Sequence, residues 1–572
     1  MALLSIAVLS TPIPAPGPQN YTNGSLVVHN DSCFRPPALH PYPRFAPRYH
    51  IGDSCQGEND PCGSFYFRGT YHVFYQDHTQ GGTSGGHAVS TDLVTWRELM
   101  PALWPAEWFA ENGVWDFSTT VVDGVPTIVA AGLTDHSTTH FCHVHAVPKD
   151  LDDPNLEDWV WVGEPVCGTK ENGLRPGDSP SNTWRTSTGE FRYVDAFGNV
   201  WSSFDFKHFQ LASNASEGGK STSFPVGCCG DLYTLPRVCA GCEGAYVGAS
   251  SPAQPTHVWM WWPAGTPGIY ELVIYHEGAV NSSGVKEVLT LGVPELSLNA
   301  SWFDTAGAGW TFDGGGFYAS KSFYDPVHDR RIITGWLYPD VLAPGPRQAP
   351  GILYKYDIQS LLREVRYDPR LRQLTSFPIG ELSELRVVPP LGGLTAPLAL
   401  GPTRNHTLVS SGANQTEIRI RISPVPTAPT RLGVVVMTGG SSEGIELYVD
   451  VVMPKAGAKV QRVHAASDRT LLGVRGEPRS GAWPLLAQDD AIDVAIFIDQ
   501  TWVEWFVQGG RWAQAVAVPP AALNGSGVGG RVGARHGIML FANASVVVAE
   551  ASAWSLRSIW RNPTTHDRPG PA

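Results

Sequence analysis

Short β-type runs separated by tight turn signals recur along almost the whole of this 572-residue chain. The segment Ser118–Ala131 sets Asp123-Gly124 between two apolar runs, the strongest short-range signal for a β-hairpin. Two further segments show the same pattern, Ser64–Gln76 and Glu190–Phe206. The 61 glycines and 47 prolines favour turns over long helices, and the best helix candidate, Ile379–Leu385, is short. The chain is therefore predicted to be all-β.

A stretch rich in Pro, Gly and Leu follows Pro389, and we predict a linker over residues 389–404. Four runs beyond it alternate apolar and polar residues, as strands do when one face of an antiparallel sheet is buried. They are Thr416–Ile422, Gly444–Val452, Asp493–Val507 and Ile538–Val548. We expect an N-terminal tail over residues 1–45, a first all-β domain over 46–388 and a β-sandwich over 405–562.

Charge and hydropathy exclude two classes of partner. The net charge is −13, with 40 basic and 53 acidic residues, so no basic field is available to hold a phosphate backbone. No run of about eighteen apolar residues exists that could span a membrane. We therefore expect neither a nucleic acid nor a membrane as partner.

Two features of the sequence favour a secreted glycoprotein. Met1–Ser10 resembles the apolar core of a signal peptide, although it lacks the usual basic residues before it. Ten N-x-[ST] sequons occur, at Asn20, Asn23, Asn30, Asn214, Asn281, Asn299, Asn405, Asn414, Asn524 and Asn543.

All nine cysteines precede residue 243: Cys33, Cys55, Cys62, Cys142, Cys167, Cys228, Cys229, Cys239 and Cys242. In an oxidising compartment they predict several disulfides and one spare thiol. The last four also have a spacing that could hold zinc, but the sequons favour disulfides. The C-terminal half has no cysteine and must be stabilised by burial alone.

A few polar residues could carry chemistry. Asp60 precedes Pro61, and Asp178 lies in the run Arg175–Pro180, contexts in which an Asp commonly makes a turn hydrogen bond. His143 and His145 would share one face of a strand, which a metal could use. We expect these two histidines to be partly exposed strand residues instead.

The order of several motifs resembles that of glycoside hydrolase family 32, the invertase and fructanase family. Glu58–Trp96 matches the family's N-D-P, F-Y-Q and G-H-A-x-S-x-D-L motifs. Further agreement lies in Gly316–Trp336, Gln373–Arg386 and Ile498–Arg511, so the resemblance covers residues 49 to 560.

The resemblance implies a five-bladed β-propeller followed by a β-sandwich, in a secreted, extracellular or vacuolar protein. It also implies retaining hydrolysis of a fructosyl bond in sucrose or a fructan, with no cofactor and no metal. In that chemistry one carboxylate attacks the anomeric carbon while a second, ~5–5.5 Å away, protonates the leaving oxygen. A third acid binds sugar hydroxyls and stabilises the developing positive charge.

Site residues follow from the same resemblance. Asp60 matches the nucleophile, and Asp178 matches the acid of the R-D-P motif. The predicted substrate-binding residues are Asn59, Gln76, Trp115, Ser118 and Trp184.

The resemblance fails at the position of the acid/base glutamate, where this chain has Cys228. A thiol is a poor proton donor to an ether oxygen, and losing general acid catalysis costs ~10²–10⁴ in rate. The arginine of R-D-P is replaced by Gly177, and the family's F-S-G-S motif becomes Trp115-Asp116-Phe117-Ser118.

Three interpretations stay open at this point. The first is a glycosidase whose acid has moved to Asp231, Asp116 or Glu243. The second is a protein that binds carbohydrate without hydrolysing it, and the third is a defective copy.

Overall fold

The computed structural model describes residues 47–52, 58–78, 82–135, 140–168, 173–213, 227–240, 256–262, 269–276, 280–281, 284–285, 288–290, 310–338, 358–437, 444–452, 460–468, 479–518 and 537–560. These residues are built almost wholly from β-strands. Three short 3-10 helices lie among them, at Trp108–Ala110, Gly380–Leu385 and Gln508–Gly510. Within this part of the chain no helix has the length and apolar character that a membrane crossing requires.

Five antiparallel sheets of consecutive strands follow one another between residues 58 and 378 and form the predicted five-bladed β-propeller. Blade 1 holds β1 (Glu58–Pro61), β2 (Phe65–Phe67), β3 (Thr70–Asp77), β4 (Ser84–Ser90) and β5 (Arg97–Leu103). Blade 2 holds β6 (Val114–Val122), β7 (Val125–Leu133), β8 (Phe141–Pro148) and β9 (Trp159–Cys167). Blade 3 holds β10 (Trp184–Arg185), β11 (Phe191–Val194), β12 (Val200–Ser203) and β13 (Gln210–Ser213).

The last two blades have longer connections. Blade 4 holds β14 (Cys228–Thr234), β15 (His257–Trp262), β16 (Ile269–His276), β19 (Val288–Thr290) and β20 (Trp310–Thr311), with the separate pair β17 (Val280–Asn281) and β18 (Gly284–Val285) in its connection. Blade 5 holds β21 (Phe317–Asp325), β22 (Arg330–Leu337), β23 (Ile358–Gln359), β24 (Arg363–Asp368) and β25 (Gln373–Pro378).

The predicted hairpins are confirmed, and their turns explain why they form. Asp123 and Gly124 both have positive φ, 49° and 84°, as the two-residue turns favoured by twisted hairpins require. The flanking residues Val122 and Val125 pair directly. Arg68 and Gly69 make the corresponding turn in blade 1, with φ of 44° and 97°.

Two sheets pack into the C-terminal β-sandwich. One holds β26 (Gly392–Gly393), β27 (Leu398–Leu400), β29 (Gln415–Ile422), β34 (Ile492–Asp499), β35 (Trp502–Val507), β36 (Trp512–Ala517) and β38 (Val546–Ser555). The other holds β28 (His406–Val409), β30 (Thr430–Met437), β31 (Gly444–Val451), β32 (Val460–Asp468), β33 (Arg479–Leu486) and β37 (Gly537–Ala542). Their inner faces share one apolar core that includes Ile418, Val434 and Trp505.

The segment predicted as a linker takes part in this sandwich. Both β26 and β27 lie within residues 389–404, and both pair with β38. The division of the chain into domains stays a prediction.

Buried ionic contacts join the propeller to the sandwich. His50 contacts Asp499 through Nδ1 at 2.8 Å and Glu504 through Nε2 at 2.9 Å. Arg363 of blade 5 contacts Glu504 and, at 2.9 Å, Asp313. We call these five residues the junction network.

The described cysteines follow the disulfide prediction. Cys142 is bonded to Cys167, Cys228 is bonded to Cys229, and Cys239 is also disulfide-bonded. Cys62 is a free, buried thiol. The remaining cysteines, Cys33, Cys55 and Cys242, lie outside the described residues.

The expectation for the two histidines of blade 2 is wrong. His143 is 0% and His145 2% exposed, because the aromatic residues of blade 3 cover this face of β8. His143 contacts the Gly177 carbonyl at 2.7 Å and the Tyr193 hydroxyl at 2.8 Å, so it holds the chain just before Asp178.

Candidate active site

Three carboxylates converge where the first strands of the blades approach one another. β1 carries Asp60, β6 carries Asp116, and a bend in the segment that leads into β10 carries Asp178. Their charges act on one another, and we call these three residues the central acid cluster. Residues more than a hundred positions apart meet here because every blade of a propeller begins at the common axis.

Asp60, the predicted nucleophile, is almost completely buried, with 8% of its surface exposed. Burial and the charges of Asp116 and Asp178 raise the pKa of Asp60 well above its usual value, against the opposing charge of Lys321. Sγ of Cys229 lies 3.3 Å from Oδ2 of Asp60.

Asp116 is fully buried between two donors. Nε2 of Gln76 donates to its Oδ1 at 2.5 Å, and the Ser179 hydroxyl donates to its Oδ2 at 2.5 Å. Burial raises the pKa of Asp116, although Lys321 and these two hydrogen bonds lower it. Because both oxygens accept hydrogen bonds and neither is open to solvent, Asp116 is better placed to orient its neighbours than to meet a substrate.

Asp178 is the half-buried member of the cluster. Its pKa is raised well above the usual value by burial and by the charge of Asp116, while the Ser179 N–H, which donates to Oδ1 at 2.7 Å, lowers it. The position before it accepts no side chain, because a Cβ on Gly177 would lie 2.9 Å from the carboxyl carbon of Asp195. The arginine of the R-D-P motif is thus absent here. A cation at that position would lower the pKa of Asp178.

Lys321 on β21 is the cation that opposes these charges. It is 3% exposed, and its Nζ donates to the carbonyls of Pro180 and Gly230 at 3.1 and 3.0 Å. Three carboxyl groups face one lysine, so they titrate together, and the cluster retains protons at pH values where isolated aspartates have lost them. Sequence reasoning missed Lys321, although it lies inside the matched run Gly316–Trp336, where the one basic residue of the strand-like segment Phe317–Asp325 is the available signal.

Cys228 begins β14, at the position where the resemblance places an acid/base glutamate. It forms a disulfide with Cys229, and a disulfide sulfur carries no proton. In this state Cys228 therefore cannot donate a proton to a leaving group.

The other predicted site residues are three polar residues and two tryptophans. Gln76 contacts the acid cluster, Asn59 is half-buried beside Asp60, and Ser118 is buried with no hydrogen-bond partner for its hydroxyl among the described residues. Trp115 packs against Leu133 and Phe141, and Trp184 packs in the apolar cluster around Trp259. Substrate binding by these five residues stays a prediction.

Of the two other candidate replacement acids besides Asp116, only Asp231 lies within the described residues. The Asp231 carboxylate accepts hydrogen bonds from the Ser322 N–H at 3.0 Å, the Ser322 hydroxyl at 2.6 Å and Asn182 Nδ2 at 3.0 Å. These contacts tie blades 4 and 5 together and leave Asp231 fully buried. Glu243 lies outside the described residues.

An aromatic group that sequence reasoning missed lies beside the cluster. Tyr318 contacts the rings of Trp262 and Trp336 at centroid distances of 5.9 Å, and Trp336 stacks on Tyr338 at 4.4 Å. Burial and the charges of Asp60 and Asp116 raise the pKa of Tyr318. Aromatic faces beside carboxylates are suited to a sugar ring, whose C–H face is apolar and whose hydroxyls are polar.

The comparisons with known proteins agree with this fold. The model of the glycosyl hydrolases family 32 N-terminal domain matches residues 50–378. The solved structure of fructan 1-exohydrolase IIa from Cichorium intybus superposes with a TM-score of 0.68 at 23% identity, over 90% of this chain and 98% of that one.

Two curated relatives extend the likeness. An insoluble β-fructofuranosidase isoenzyme of Arabidopsis thaliana is 29% identical over 362 residues, which are 59% of this chain and 56% of that protein. In that alignment the chain spans little more than half of the relative's length. An acid β-fructofuranosidase of Vicia faba is 27% identical over 578 residues, covering 91% of this chain and 82% of that protein. With the family model matched over more than half of its length, the chain belongs to glycosyl hydrolase family 32.

Proposed function

We propose that this protein cleaves β-fructofuranosyl bonds of sucrose or a fructan by a retaining mechanism in which Asp60 is the nucleophile. The observation that carries the proposal is the meeting of Asp60 with Asp116 and Asp178 at the propeller axis of a family 32 fold. Relatives described as β-fructofuranosidases support the choice of bond. In the first step Asp60 is ionised while Asp178 holds the proton of the coupled cluster. A carboxylate oxygen of Asp60 attacks the anomeric carbon, and the sugar oxygen of the leaving group departs with a proton.

Asp178 is the group best suited to supply that proton. Cys228 has none in the disulfide, and Asp116 is enclosed between Gln76 and Ser179. Asp178 is half-buried, and its raised pKa keeps it protonated to a higher pH than an ordinary aspartate. A carboxyl group tuned in this way can act as general acid and then as general base for the attacking water.

The test compares a substrate that needs an acid with one that does not. Sucrose requires protonation of its leaving oxygen, whereas an aryl β-fructofuranoside with a nitrophenol leaving group does not. We expect Asp60→Asn to abolish cleavage of both substrates. Asp178→Asn should lower kcat for sucrose by ~10²–10⁴ and change kcat for the aryl substrate much less.

Asp123→Asn is the matched control, because Asp123 is an exposed turn residue of the blade 2 hairpin. It should leave both rates unchanged. Equal losses for the two substrates in Asp178→Asn would show that Asp178 is not the proton donor. Failure of the wild type to cleave either substrate would refute hydrolysis as the function.

One observation favours a second candidate function, carbohydrate binding without hydrolysis. The Cys228–Cys229 disulfide occupies the acid/base position, so the family's proton donor is absent there. On this alternative, wild type binds sucrose or a fructan oligosaccharide in calorimetry without turnover, and Cys228→Glu gains sucrose hydrolysis. The retaining proposal predicts turnover by the wild type, so the same assay separates the two.

We also propose a secreted or vacuolar location. The relatives include proteins described as insoluble, cell-wall and vacuolar β-fructofuranosidases, and the ten sequons and the disulfides of this chain agree with such a compartment. A loss of mass on treatment with an N-glycan-removing enzyme would support the proposal. An unglycosylated protein in the cytosolic fraction would contradict it.

A further inference from the structure

Two sulfur atoms and a carboxylate oxygen meet at the end of β14. The Sγ atoms of Cys228 and Cys229 and an oxygen of Asp60 all lie within 4.8 Å of one another. Cys229 is fully buried, Asp60 is 8% exposed and Cys228 is half-buried. The group is thus enclosed on one side and open to solvent on the other.

An irregularity in β14 explains how the side chains of two adjacent residues, Cys228 and Cys229, both approach Asp60. Consecutive side chains of a regular strand point to opposite faces of the sheet. Here the register shifts between Cys228 and Asp231, and Cys229 has a left-handed backbone with φ of 61°. This bulge turns both sulfur atoms toward Asp60. Non-glycine residues in that backbone region concentrate at functional sites.

We propose that the reduced form of this strand end binds one thiophilic divalent cation through Sγ of Cys228, Sγ of Cys229 and a carboxylate oxygen of Asp60. Thiolates select soft or borderline ions such as Zn²⁺ and Cd²⁺, and a carboxylate commonly completes such a set. Water supplies the fourth ligand on the open side, where Cys228 reaches solvent. The proposal departs from the expectation of no metal and does not depend on the catalytic function.

Reduction of the Cys228–Cys229 disulfide requires two electrons, which a small dithiol supplies. The dithiol transfers two electrons and two protons to the Cys228–Cys229 disulfide, which becomes two thiols, and the reductant leaves as its own disulfide. Binding of the cation then releases both thiol protons to solvent.

The charges around the site suit a divalent cation. Two thiolates and the Asp60 carboxylate carry three negative charges, which a divalent ion and the ammonium of Lys321 balance. Lys321 is held beside the site by the carbonyl of Gly230, the residue after Cys229. The charge of Asp116 also acts on Asp60, which further favours a cation.

The experiment uses the full chain and Cd²⁺ as probe. The protein is reduced anaerobically with dithiothreitol, freed of the reductant, and titrated while the ultraviolet charge-transfer absorbance of cadmium–thiolate bonds is recorded. Alkylation and peptide mapping show whether Cys228 and Cys229 have become thiols. We expect one Cd²⁺ per chain in the reduced protein and none at this site in the oxidised protein.

Variants then test each ligand. Cys228→Ser and Cys229→Ser should each remove most of the absorbance, and Asp60→Asn should weaken binding at least about tenfold. Two matched controls should bind like the wild type: Cys62→Ser, which removes the buried thiol 3.7 Å from the Asp60 carbonyl, and Asp123→Asn, which removes an exposed turn carboxylate of blade 2.

Four results would overturn the proposal. They are a disulfide that opens only on unfolding, an equal absorbance in the oxidised protein, full absorbance in Cys228→Ser, and unchanged affinity in Asp60→Asn. The last variant is nearly isosteric, so it tests the proposal even where a cysteine variant fails to fold.

Discussion

Carboxylates are buried in two regions of this molecule, and their surroundings differ in one respect. In the junction network the carboxylates Asp313, Asp499 and Glu504 face Arg363, His50 and backbone N–H groups. In the central acid cluster three carboxylates share a single lysine. Most of these side chains are buried in both regions, with Asp178 half-buried, so the main difference lies in the number of cations and donors.

The pKa directions follow from that difference. Burial alone would raise the pKa of Glu504, but the charge of Arg363 and the hydrogen bond from His50 lower it below the usual value. In the acid cluster burial and like charges act together, and the pKa values of Asp60 and Asp178 rise. Carboxylates that are matched by cations stabilise the fold, whereas a cluster with fewer cations than carboxylates has the perturbed pKa values that are typical of functional sites.

The largest expected effect comes from breaking the junction network with Glu504→Gln. The substitution leaves Arg363 with Asp313 as its remaining carboxylate partner in the network, in a site closed to water. We expect the free energy of unfolding to fall by about 3–5 kcal/mol, as when one partner of a buried ion pair is removed. Urea denaturation measures this free energy. The control is Glu550→Gln, which changes an exposed glutamate of the same sheet. A loss equal to that of the control would mean that charge matching does not stabilise the junction.

The next effect is a dependence of stability on pH above neutrality. Although burial lowers it, the hydrogen bonds and charges of Asp499 and Glu504 raise the pKa of His50 from 6.5 to about 9. A raised pKa gives stability that is fully present below the unfolded value of 6.5 and is lost as pH rises toward 9, about 3 kcal/mol in all. Unfolding midpoints measured across this window should fall with pH.

His50→Gln tests whether His50 causes this loss of stability with rising pH. It should be less stable than the wild type at pH 6 and should show a flatter profile between pH 6.5 and 9. The acid cluster contributes with the same sign in a window that begins at lower pH, because its raised carboxyl pKa values also remove stability as pH rises above about 4. An unchanged slope in His50→Gln would assign the dependence to other groups.

A smaller effect of opposite sign is expected from Asp116→Asn. The charge of Asp116 raises the pKa values of Asp60 and Asp178, so removing it should lower both and relieve repulsion. We expect a gain in the free energy of unfolding of about 1 kcal/mol at pH 7, as is common when a functional site is neutralised. Carboxyl carbon NMR titration follows the pKa values, and Asp123→Asn is the control. A loss of stability would mean that the hydrogen bonds from Gln76 and Ser179 outweigh the repulsion.

Local signals in the sequence predict the strands well. The hairpin at Asp123-Gly124 and the alternating run Thr416–Ile422 depend on neighbouring residues, and both match the strands found. The number of blades comes from the family resemblance rather than from any local pattern. Burial of His143 and His145 was mispredicted, because the residues that cover β8 come from blade 3 and leave no trace in the alternation.

Residues of the candidate site could be predicted only where they belong to a motif of the family. Asp60 and Gln76 belong to matched motifs, and the structure brings both to the acid cluster. The disulfide between adjacent cysteines depends on a bulge in β14, which no residue spacing reveals. The enclosure of Asp116 by Ser179 and Gln76 joins three blades, so it emerges only when the propeller closes.

The smallest effect should come from ion pairs that resemble the junction network in geometry but not in burial. Arg421 contacts Asp493 and Asp490 at 2.8 and 2.9 Å, and these side chains are 35%, 46% and 81% exposed. Water and salt screen such pairs, so Arg421→Gln should cost less than about 1 kcal/mol of unfolding free energy, and less still in high salt. Urea denaturation at two ionic strengths measures both. A cost as large as that of Glu504→Gln, unaffected by salt, would mean that contact distance alone governs these pairs, and the contrast between matched and unmatched buried charges would then lose its physical basis.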